Sequence, residues 1–434
     1  MRLAPCAAIA AALALVLSSP ARSETAPNPL TADDAVREAL AANADLAAAR
    51  FAIDIARGGL LQAGRLANPE LEVGYADDFA FKSEGERTGA AGLSQRFPVT
   101  SRLAREKDVA AKDVETAAAE VRDFERRLVA EVESAFYTVR ALDERSLVNR
   151  ELIDSVRHVE ETTTRRLEAA EVSPAEVGLL RIERLRLEQE ARRIAREREI
   201  AAASLVRLLG RASPDGLTPV GDLDPGALPA ARGPAAAAGD LTGRGDLDAA
   251  RSTIERAEAD RGLARAEVWE DWSVGLGYEG ERTVFDEPIG VKRDSFLTLG
   301  VKVPIPLWNR QQGRIAAAEA EVGRARRSRD ALVLRIDEEI RVAEARVRTL
   351  RESVDAYASE LLPEASRSRD LFERGYRQGL VGIAELLQAQ RQYNESRGLY
   401  LELVGDLRRA TIEFEAAAGT SPHLGPPQSQ GGTR

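Results

Sequence analysis

The feature that most constrains this chain is a long helical stripe in its second half. Between residues 310 and 377 a single proline, Pro363, interrupts a sequence dense in Ala, Arg, Glu and Leu, and we expect at most a local kink there. Apolar side chains recur at steps of three or four residues, as in a coiled coil, at Leu332, Ile336, Ile340, Ala343, Val347, Leu350, Val354, Tyr357 and Leu361. At about 1.5 Å per residue the helix is roughly 100 Å long, so the rest of the chain must supply equally long partners.

The first 23 residues have the pattern of a secretory signal peptide. A basic start at Arg2, an apolar run over 7–17 and small residues before the cut indicate cleavage after Ser23. Cys6 and Met1 are the only residues of their kinds, so the mature chain has no thiol chemistry and needs no disulfide. The chain has 71 Asp and Glu against 61 Lys and Arg, which argues against a nucleic-acid partner. No later segment has eighteen consecutive apolar residues, so no helical membrane span is expected.

The mature chain is organised as two copies of one pattern. Residues 24–210 are predicted to form a helix–hairpin–helix repeat, 211–245 a Pro- and Gly-rich connector, 246–419 a second repeat, and 420–434 a disordered tail. The duplication is visible in short matching sequences, DLAAAR (45–50) with DLDAAR (246–251) and VSPAEVGLL (172–180) with VGIAELLQA (381–389). The first helix is predicted to start at a Thr31–Asp34 capping box and to run to Leu66.

In each repeat the apolar period then changes from helical to alternating, which predicts a hairpin of two strands. The segments are roughly ten residues long, enough to cross an outer membrane, and the alternate positions are largely Gly, Ser, Thr and Glu, as a wet lumen requires. Lipid contact is predicted for Leu71, Val73, Tyr75, Val274, Leu276 and Tyr278. All three tryptophans lie where helix meets strand, as in an interfacial belt: Trp269, Trp272 and Trp308. A small soluble β-element at the end of a coiled coil is the alternative.

Four strands cannot close a barrel in lipid, because the open edges would leave backbone groups without hydrogen bonds. Several chains must therefore share one barrel. Three chains would give about 12 strands, enough for an open pore, with the helices forming a tube beneath it.

Three sequences carry a resemblance to a known family: LANPELEVGY (66–75), LSQRFPV (93–99) and VKVPIPLWNRQQGRIAAAEAEV (301–322). With the duplicated pattern, they make the chain resemble a TolC-type outer-membrane factor of the outer membrane efflux protein family, with a CzcC-like, heavy-metal appearance. The resemblance implies a mainly α fold with a small transmembrane β part. Very long coiled-coil helices would form a periplasmic tunnel, two hairpins per chain would build a shared 12-stranded trimeric barrel, and residues 211–245 and the tail would form an equatorial region.

The two helix turns at 171–177 and 380–386 are predicted to be the tips of this tunnel and to dock an adaptor. Ser173, Pro174, Gly379 and Gly382 are the docking positions, and both glycines are expected to need positive φ. By the resemblance, Glu176 and Tyr376 form a contact that holds the tip shut, and Glu385 and Gln388 ring the channel constriction. The alternative for both glutamates is helix capping alone.

The resemblance implies the exit duct of a tripartite efflux system in the outer membrane of a Gram-negative bacterium. A homotrimer would work with a periplasmic adaptor and an inner-membrane pump of the resistance-nodulation-division type, exporting heavy-metal cations. Drug efflux or type I secretion is the alternative, and a periplasmic adaptor or structural envelope coiled coil is the alternative of another class. His158 and His423 are the only histidines, and no catalytic set is visible. No metal site, cofactor or enzyme activity is therefore expected.

Overall fold

The computed structural model describes residues 29–80, 85–214, 217–223, 244–286 and 289–420, arranged as two successive helix–strand–helix units around one sheet. The first unit contains α1 (Ala32–Ala42), α2 (Ala44–Gln62), β1 (Glu70–Asp77), β2 (Arg87–Phe97), α3 (Arg102–Glu168) and α4 (Pro174–Leu208). The second contains α5 (Gly245–Ala266), β3 (Trp272–Asp286), β4 (Ile289–Lys302), α6 (Gln312–Ala356), α7 (Leu362–Arg377) and α8 (Ile383–Ala418). The predicted signal peptide, most of the connector and the tail after Thr420 lie outside the described residues.

The predicted long rod is helical from Gln312 to Arg377. One π-helical turn, Tyr357–Leu361, stands directly before Pro363, and the Leu362 N–H donates there to the Tyr357 carbonyl. Proline lacks an amide hydrogen and its ring crowds the carbonyl four residues earlier, so a wider turn relieves the conflict. The disturbance expected at the proline is therefore a local change of helix type within a continuous rod.

The prediction of one uninterrupted first helix is wrong, because Asn43 divides it into α1 and α2. The Asn43 backbone is extended, and its side-chain Oδ1 accepts the Leu46 N–H at 2.8 Å, which caps α2. Its Nδ2 donates to the Leu208 carbonyl at 2.9 Å, at the end of α4. The buried side-chain amide of Asn43 thus bonds one backbone group at the start of α2 and another at the end of α4. The capping box at Thr31 and Asp34 is present as predicted.

The end of α4 passes very close to the end of α1. Gly210 has φ +72°, and a Cβ placed on it would lie 2.2 Å from the Ala42 carbonyl oxygen. Only glycine permits both this conformation and this approach. The chain direction after α4 is therefore fixed by packing against the α1–α2 break.

The four strands form one antiparallel sheet in the order β1-β2-β3-β4. The two hairpins meet through β2 and β3, where Phe97 is opposite Trp272. Residues directly opposite each other share a face of the sheet. One such row runs across all four strands and consists of Leu71, Leu93, Leu276 and Leu299. The pairing register therefore joins the apolar positions of both repeats into one continuous face.

Two buried arginines cap the carboxyl end of α8. Arg126 of α3 donates to the Ala416 carbonyl at 2.6 Å, and Arg244 donates to the Ala417 carbonyl at 2.6 Å. The last carbonyls of a helix lack partners within it, so the two guanidinium groups satisfy them and complement the helix dipole. The last helix is thereby attached to both α3 and the start of α5.

Arg244 is 3% exposed and is neutralised by carboxylates on two helices. It lies 2.7 Å from Asp246 and 3.2 Å from Glu339 of α6. Burial opposes ionisation of Asp246, but the hydrogen bonds and charge of Arg244 outweigh it and lower the pKa of the Asp246 carboxyl. The group is therefore ionised at neutral pH and pairs with the arginine.

We expect Arg244→Met to lower the free energy of unfolding by about 3 kcal/mol, because it leaves a partly buried carboxylate and a helix-end carbonyl without their donor. Arg251→Gln is the matched control, since Arg251 makes only an exposed pair with Asp248 and should change stability by about 0.5 kcal/mol at most. Thermal unfolding in detergent, followed by far-UV circular dichroism, measures both.

The contribution of the Arg244–Asp246 pair also depends on pH. Because the pKa of Asp246 is lowered, the pair contributes fully at neutral pH and is lost as the pH falls through that pKa. The Arg244→Met defect should therefore shrink in acid; a defect independent of pH would contradict this account.

Candidate functional site

The sheet has two chemically different faces. On one face the row of leucines is followed by Val73, Ala91, Tyr278 and Leu297, which also stand opposite one another. Leu71 and Val73 are each 73% exposed, so the described residues leave this large apolar surface uncovered. The other face carries small and polar residues, such as Gly74, Ser94, Gly275 and Thr298. This arrangement suits a wall between lipid and water.

The three tryptophans lie at the end of the sheet nearest the helices. Trp272 is the first residue of β3, Trp269 lies in the turn after α5, and Trp308 lies between β4 and α6. All three are exposed, Trp308 to 87%. An amphipathic ring at the junction of an apolar wall and polar helices is typical of a membrane interface.

The two tips have the same backbone geometry. At the end of α3 the Glu171 N–H donates to the Arg166 carbonyl at 2.8 Å, and at the end of α7 the Leu380 N–H donates to the Gly375 carbonyl at 2.8 Å. This pattern ends a helix with one residue in the left-handed conformation. That residue is Gly379 at φ +71° in the second tip and Ala170 at φ +59° in the first. The first tip therefore carries a strained alanine where the second has glycine.

The expectation of positive φ holds for Gly379 and is wrong for Gly382. Gly382 has φ −80° and ψ 165°, which is ordinary extended backbone before a helix. The space beside it is restricted instead, because a Cβ there would lie 2.9 Å from the Glu385 carboxylate. All four predicted docking positions, Ser173, Pro174, Gly379 and Gly382, are exposed.

Both glutamates after the tips cap their own helices. Glu176 accepts the Ser173 N–H at 3.4 Å, while the Ser173 hydroxyl accepts the Ala175 N–H at 3.2 Å. Glu385 accepts the Gly382 N–H at 2.5 Å without a serine partner. Glu385 and Gln388 are exposed and one helical turn apart on α8, so capping does not remove the Glu385 carboxylate from solvent.

The structure brings Tyr376 and Glu176 together between the two tips. The Tyr376 hydroxyl lies 3.5 Å from Glu176 Oε2 and 3.5 Å from the Thr163 hydroxyl. Both distances exceed the usual range of about 2.5–3.0 Å for such bonds. The Arg166 guanidinium lies 5.9 Å from the centre of the Tyr376 ring, within reach of a cation–π contact. The contact is therefore long in this state.

Sequence reasoning missed a buried ion pair below the tips. Glu183 of α4 is 4% exposed, and its carboxylate lies 2.7 Å from the Arg391 guanidinium of α8. The pair joins the helices that follow the two tips. In the charge-rich helices, nothing in the sequence distinguished these two side chains from solvated ones.

No metal site is found in the part of the chain that the structure describes, where no three His, Cys, Asp or Glu side chains are grouped to hold an ion. His158 lies on α3, and His423 is outside the described residues. Among the described helices, none has a stretch long and apolar enough to cross a bilayer.

Comparison with known proteins identifies related chains. Residues 241–420 match the family described as outer membrane efflux protein. The cobalt-zinc-cadmium resistance protein CzcC of Cupriavidus metallidurans is 25% identical over 399 residues, which covers 91% of each chain. Both matches confirm the resemblance to outer membrane efflux proteins that the sequence predicted.

Solved structures of channels share the fold. The CusC structure superposes with a TM-score of 0.73 at 18% identity, covering 89% of this chain and 91% of CusC. The open outer membrane channel MtrE of Neisseria gonorrhoeae gives 0.70 at 18% identity, covering 89% and 88%. The predicted fold class, long helices with a small antiparallel sheet, is confirmed. CusC is described as forming a transmembrane channel and MtrE as an outer membrane channel.

If the apolar face of the sheet contacts lipid, Leu276→Arg should cost about 2–4 kcal/mol near the middle of the bilayer. Thr298→Arg is the matched control, because Thr298 lies in the same sheet on the polar face. The yield of heat-sensitive, SDS-resistant trimer in isolated outer membranes measures the difference. Equal yields from the two variants would show that the apolar face does not contact lipid.

The two tips allow a reciprocal test of backbone strain. Ala170→Gly should stabilise the first turn by about 1 kcal/mol and Gly379→Ala should destabilise the second by a similar amount, since both positions have left-handed backbone. Hydrogen exchange of the Glu171 and Leu380 amides reports local opening, and about 1 kcal/mol corresponds to roughly fivefold in rate. Exchange should slow at Glu171 in the first variant and accelerate at Leu380 in the second; unchanged rates would mean that neither turn limits opening.

Proposed function

We propose that this protein is the exit duct of a tripartite efflux system. Three copies would share one barrel in the outer membrane of a Gram-negative bacterium, and their helices would form a tunnel through the periplasm. The observation that carries the proposal is the strand register, which places the apolar residues of both hairpins on one exposed face and polar residues on the other.

The edges of the sheet support assembly from several copies. Within the described residues, β1 and β4 each pair with one neighbour only. Lipid cannot satisfy the remaining N–H and C=O groups, so β1 of one copy must pair with β4 of the next until the sheet closes. Three copies of four strands give a barrel of about 12 strands, wide enough for a pore. Exposed apolar side chains on the helices, such as Phe51, Ile55 and Val342, would then be covered by neighbouring copies.

The partners would be a periplasmic adaptor and an inner-membrane pump of the resistance-nodulation-division type. The exposed tips around Ser173, Pro174, Gly379 and Gly382 form the surface for the adaptor's own helical hairpin. Leu380, which is 75% exposed at the end of the second tip, offers an apolar contact there. A single adaptor-type hairpin is disfavoured for this chain because the helix–hairpin–helix pattern occurs twice.

Heavy-metal cations are the proposed cargo. The support is the match to a protein named for cobalt, zinc and cadmium resistance, which extends over nine tenths of both chains. The duct would pass the ion without a binding site of its own, so selection would reside in the pump. Drug efflux or type I secretion is the alternative, because the solved channels share the fold alone.

The gate would lie at the tips. Three copies of Glu385 and Gln388 around the tunnel axis would form the narrowest ring, with one carboxylate per copy. A narrow pore with one sign of charge concentrates the opposite ion, so this ring would favour cations. Tyr376 and Glu176 would hold the closed state, and their long contact would break readily when the adaptor docks.

Fractionation and resistance assays test the proposal. The protein should be recovered from outer membranes as a heat-sensitive, SDS-resistant trimer. Deleting its gene should increase sensitivity to zinc, cobalt or cadmium, and expression of the full chain should restore resistance. Recovery as a soluble periplasmic monomer would overturn the duct, while a trimer whose loss sensitises cells only to organic compounds would overturn the metal cargo.

We expect Glu385→Gln to reduce the cation preference of the purified channel in planar bilayers severalfold. Glutamine keeps an oxygen that can accept the Gly382 N–H, so the helix start survives while the charge is removed. Gln388→Glu should increase the preference. Glu395→Gln is the control, since this exposed glutamate lies on the same helix away from the tip. If reversal potentials respond equally to the control and to Glu385→Gln, the constriction lies elsewhere.

A further inference from the structure

Three arginines stand in one row across the sheet, at the end farthest from the helices. Arg87 of β2 is opposite Arg282 of β3, which is opposite Arg293 of β4. By the alternation of side chains along each strand, they lie on the same face as the apolar band. We call this set the arginine row.

The arginine row has more positive charge than its neighbours neutralise. Like charges directly opposite each other destabilise a strand pair. Asp77, on the same face, lies 3.1 Å from Arg87. Among the described residues, neither Arg282 nor Arg293 forms an ion pair, and Arg282 Nε is shielded from solvent without a hydrogen-bond partner. An anion from outside the chain that joined the row would relieve this repulsion and offer the Arg282 Nε an acceptor.

The opposite face of the sheet has the reverse charge at the same level. Glu279, Glu281 and Asp294 lie there, next to the row by register, and Lys292 is paired with Asp294 at 2.8 Å. The side chains named on this face are three carboxylates and one lysine, whereas those on the apolar face are three arginines and one carboxylate, Asp77. The excess of positive charge at this level therefore lies on the apolar side of the sheet.

The height of the row matches the edge of a bilayer. Trp272 and Arg282 are ten residues apart on β3, about 33 Å along a strand and about 25 Å in height at the usual tilt of membrane strands. The apolar band of such proteins is about 25 Å tall. With the tryptophans at the inner interface, the arginine row lies at the level of the outer headgroups.

We infer that the arginine row binds the phosphate of an anionic lipid headgroup in the outer leaflet, an inference that rests on the proposed outer-membrane function. Guanidinium groups bind phosphate oxygens bidentately and keep their charge at any physiological pH. Acyl chains of the same lipid would lie on Tyr278, Leu297 and the leucine row beneath. Lipid is favoured over free phosphate because the row continues directly into this apolar surface.

Binding of bisphosphorylated lipid A to the full-length protein, purified as a trimer in detergent, tests the inference. Native mass spectrometry with increasing lipid gives the affinity. Arg282→Gln with Arg293→Gln should weaken binding at least about tenfold, whereas lysine at both positions should retain part of it. Lys292→Gln is the matched control on the opposite face and should have no effect. Dephosphorylated lipid A should bind the wild type as weakly as bisphosphorylated lipid A binds the glutamine variant.

Three results would overturn the inference: equal binding by wild type and the glutamine variant, equal binding of the dephosphorylated lipid, or displacement of the lipid by millimolar inorganic phosphate, which would identify a free-phosphate site. Each variant is first checked as a heat-sensitive trimer from outer membranes. If the wild type itself is not found there, the proposed function fails. If the trimer is present and lipid binding ignores the arginines, only the lipid site fails.

Discussion

Backbone hydrogen bonding at the edges of the sheet is the constraint on which the rest of this structure depends. Within the described residues the sheet ends at β1 and β4, each paired on one side. In the duct that we propose, the apolar face places this sheet in lipid, where water cannot satisfy the free edges. Closure by further copies would then determine the shape of everything below it, since each set of helices would become one segment of a tube. The same closure would cover the exposed apolar residues on α2 and α6.

Long helices rich in alanine and arginine also need contacts that fix their lengthwise position. An apolar stripe alone permits a helix to slide by whole turns with little change in burial, whereas a buried polar pair fits one position only. Asn149 donates to the Leu187 carbonyl at 3.1 Å, Glu183 pairs with Arg391, and Arg126 and Arg244 hold the end of α8. These contacts stand at intervals from the tips to the helix ends, and each joins different elements.

The sequence predicted what periodicity and duplication encode: the rod, the hairpins, the tips and the apolar face. It did not reveal the break at Asn43, because an alanine-rich segment on both sides reads as one helix and the amide acquires its second role only from Leu208, far away in the chain. The sequence predicted the same backbone conformation for Gly379 and Gly382, because a glycine can serve either a left-handed backbone or a restricted space. Gly379 has the left-handed backbone, and Gly382 has the restricted space beside Glu385. The tip residues were found by resemblance, and Thr163, which contacts Tyr376, required the fold. Their roles in gating stay predictions.

The π-helical turn before Pro363 has a consequence for the orientation of the tip. Such a turn contains one residue more than an α-helical turn, and one residue corresponds to about 100° of rotation about the helix axis. All side chains of α7 are therefore rotated by roughly a quarter of a circle from the phase that α6 would have imposed. A relative lacking that one residue could keep every other side chain and still present a different helix face at its tip. The direction in which the Tyr376 side chain points around the axis of α7 therefore depends on the π-helical turn at Tyr357–Leu361, some fifteen to nineteen residues earlier in the chain.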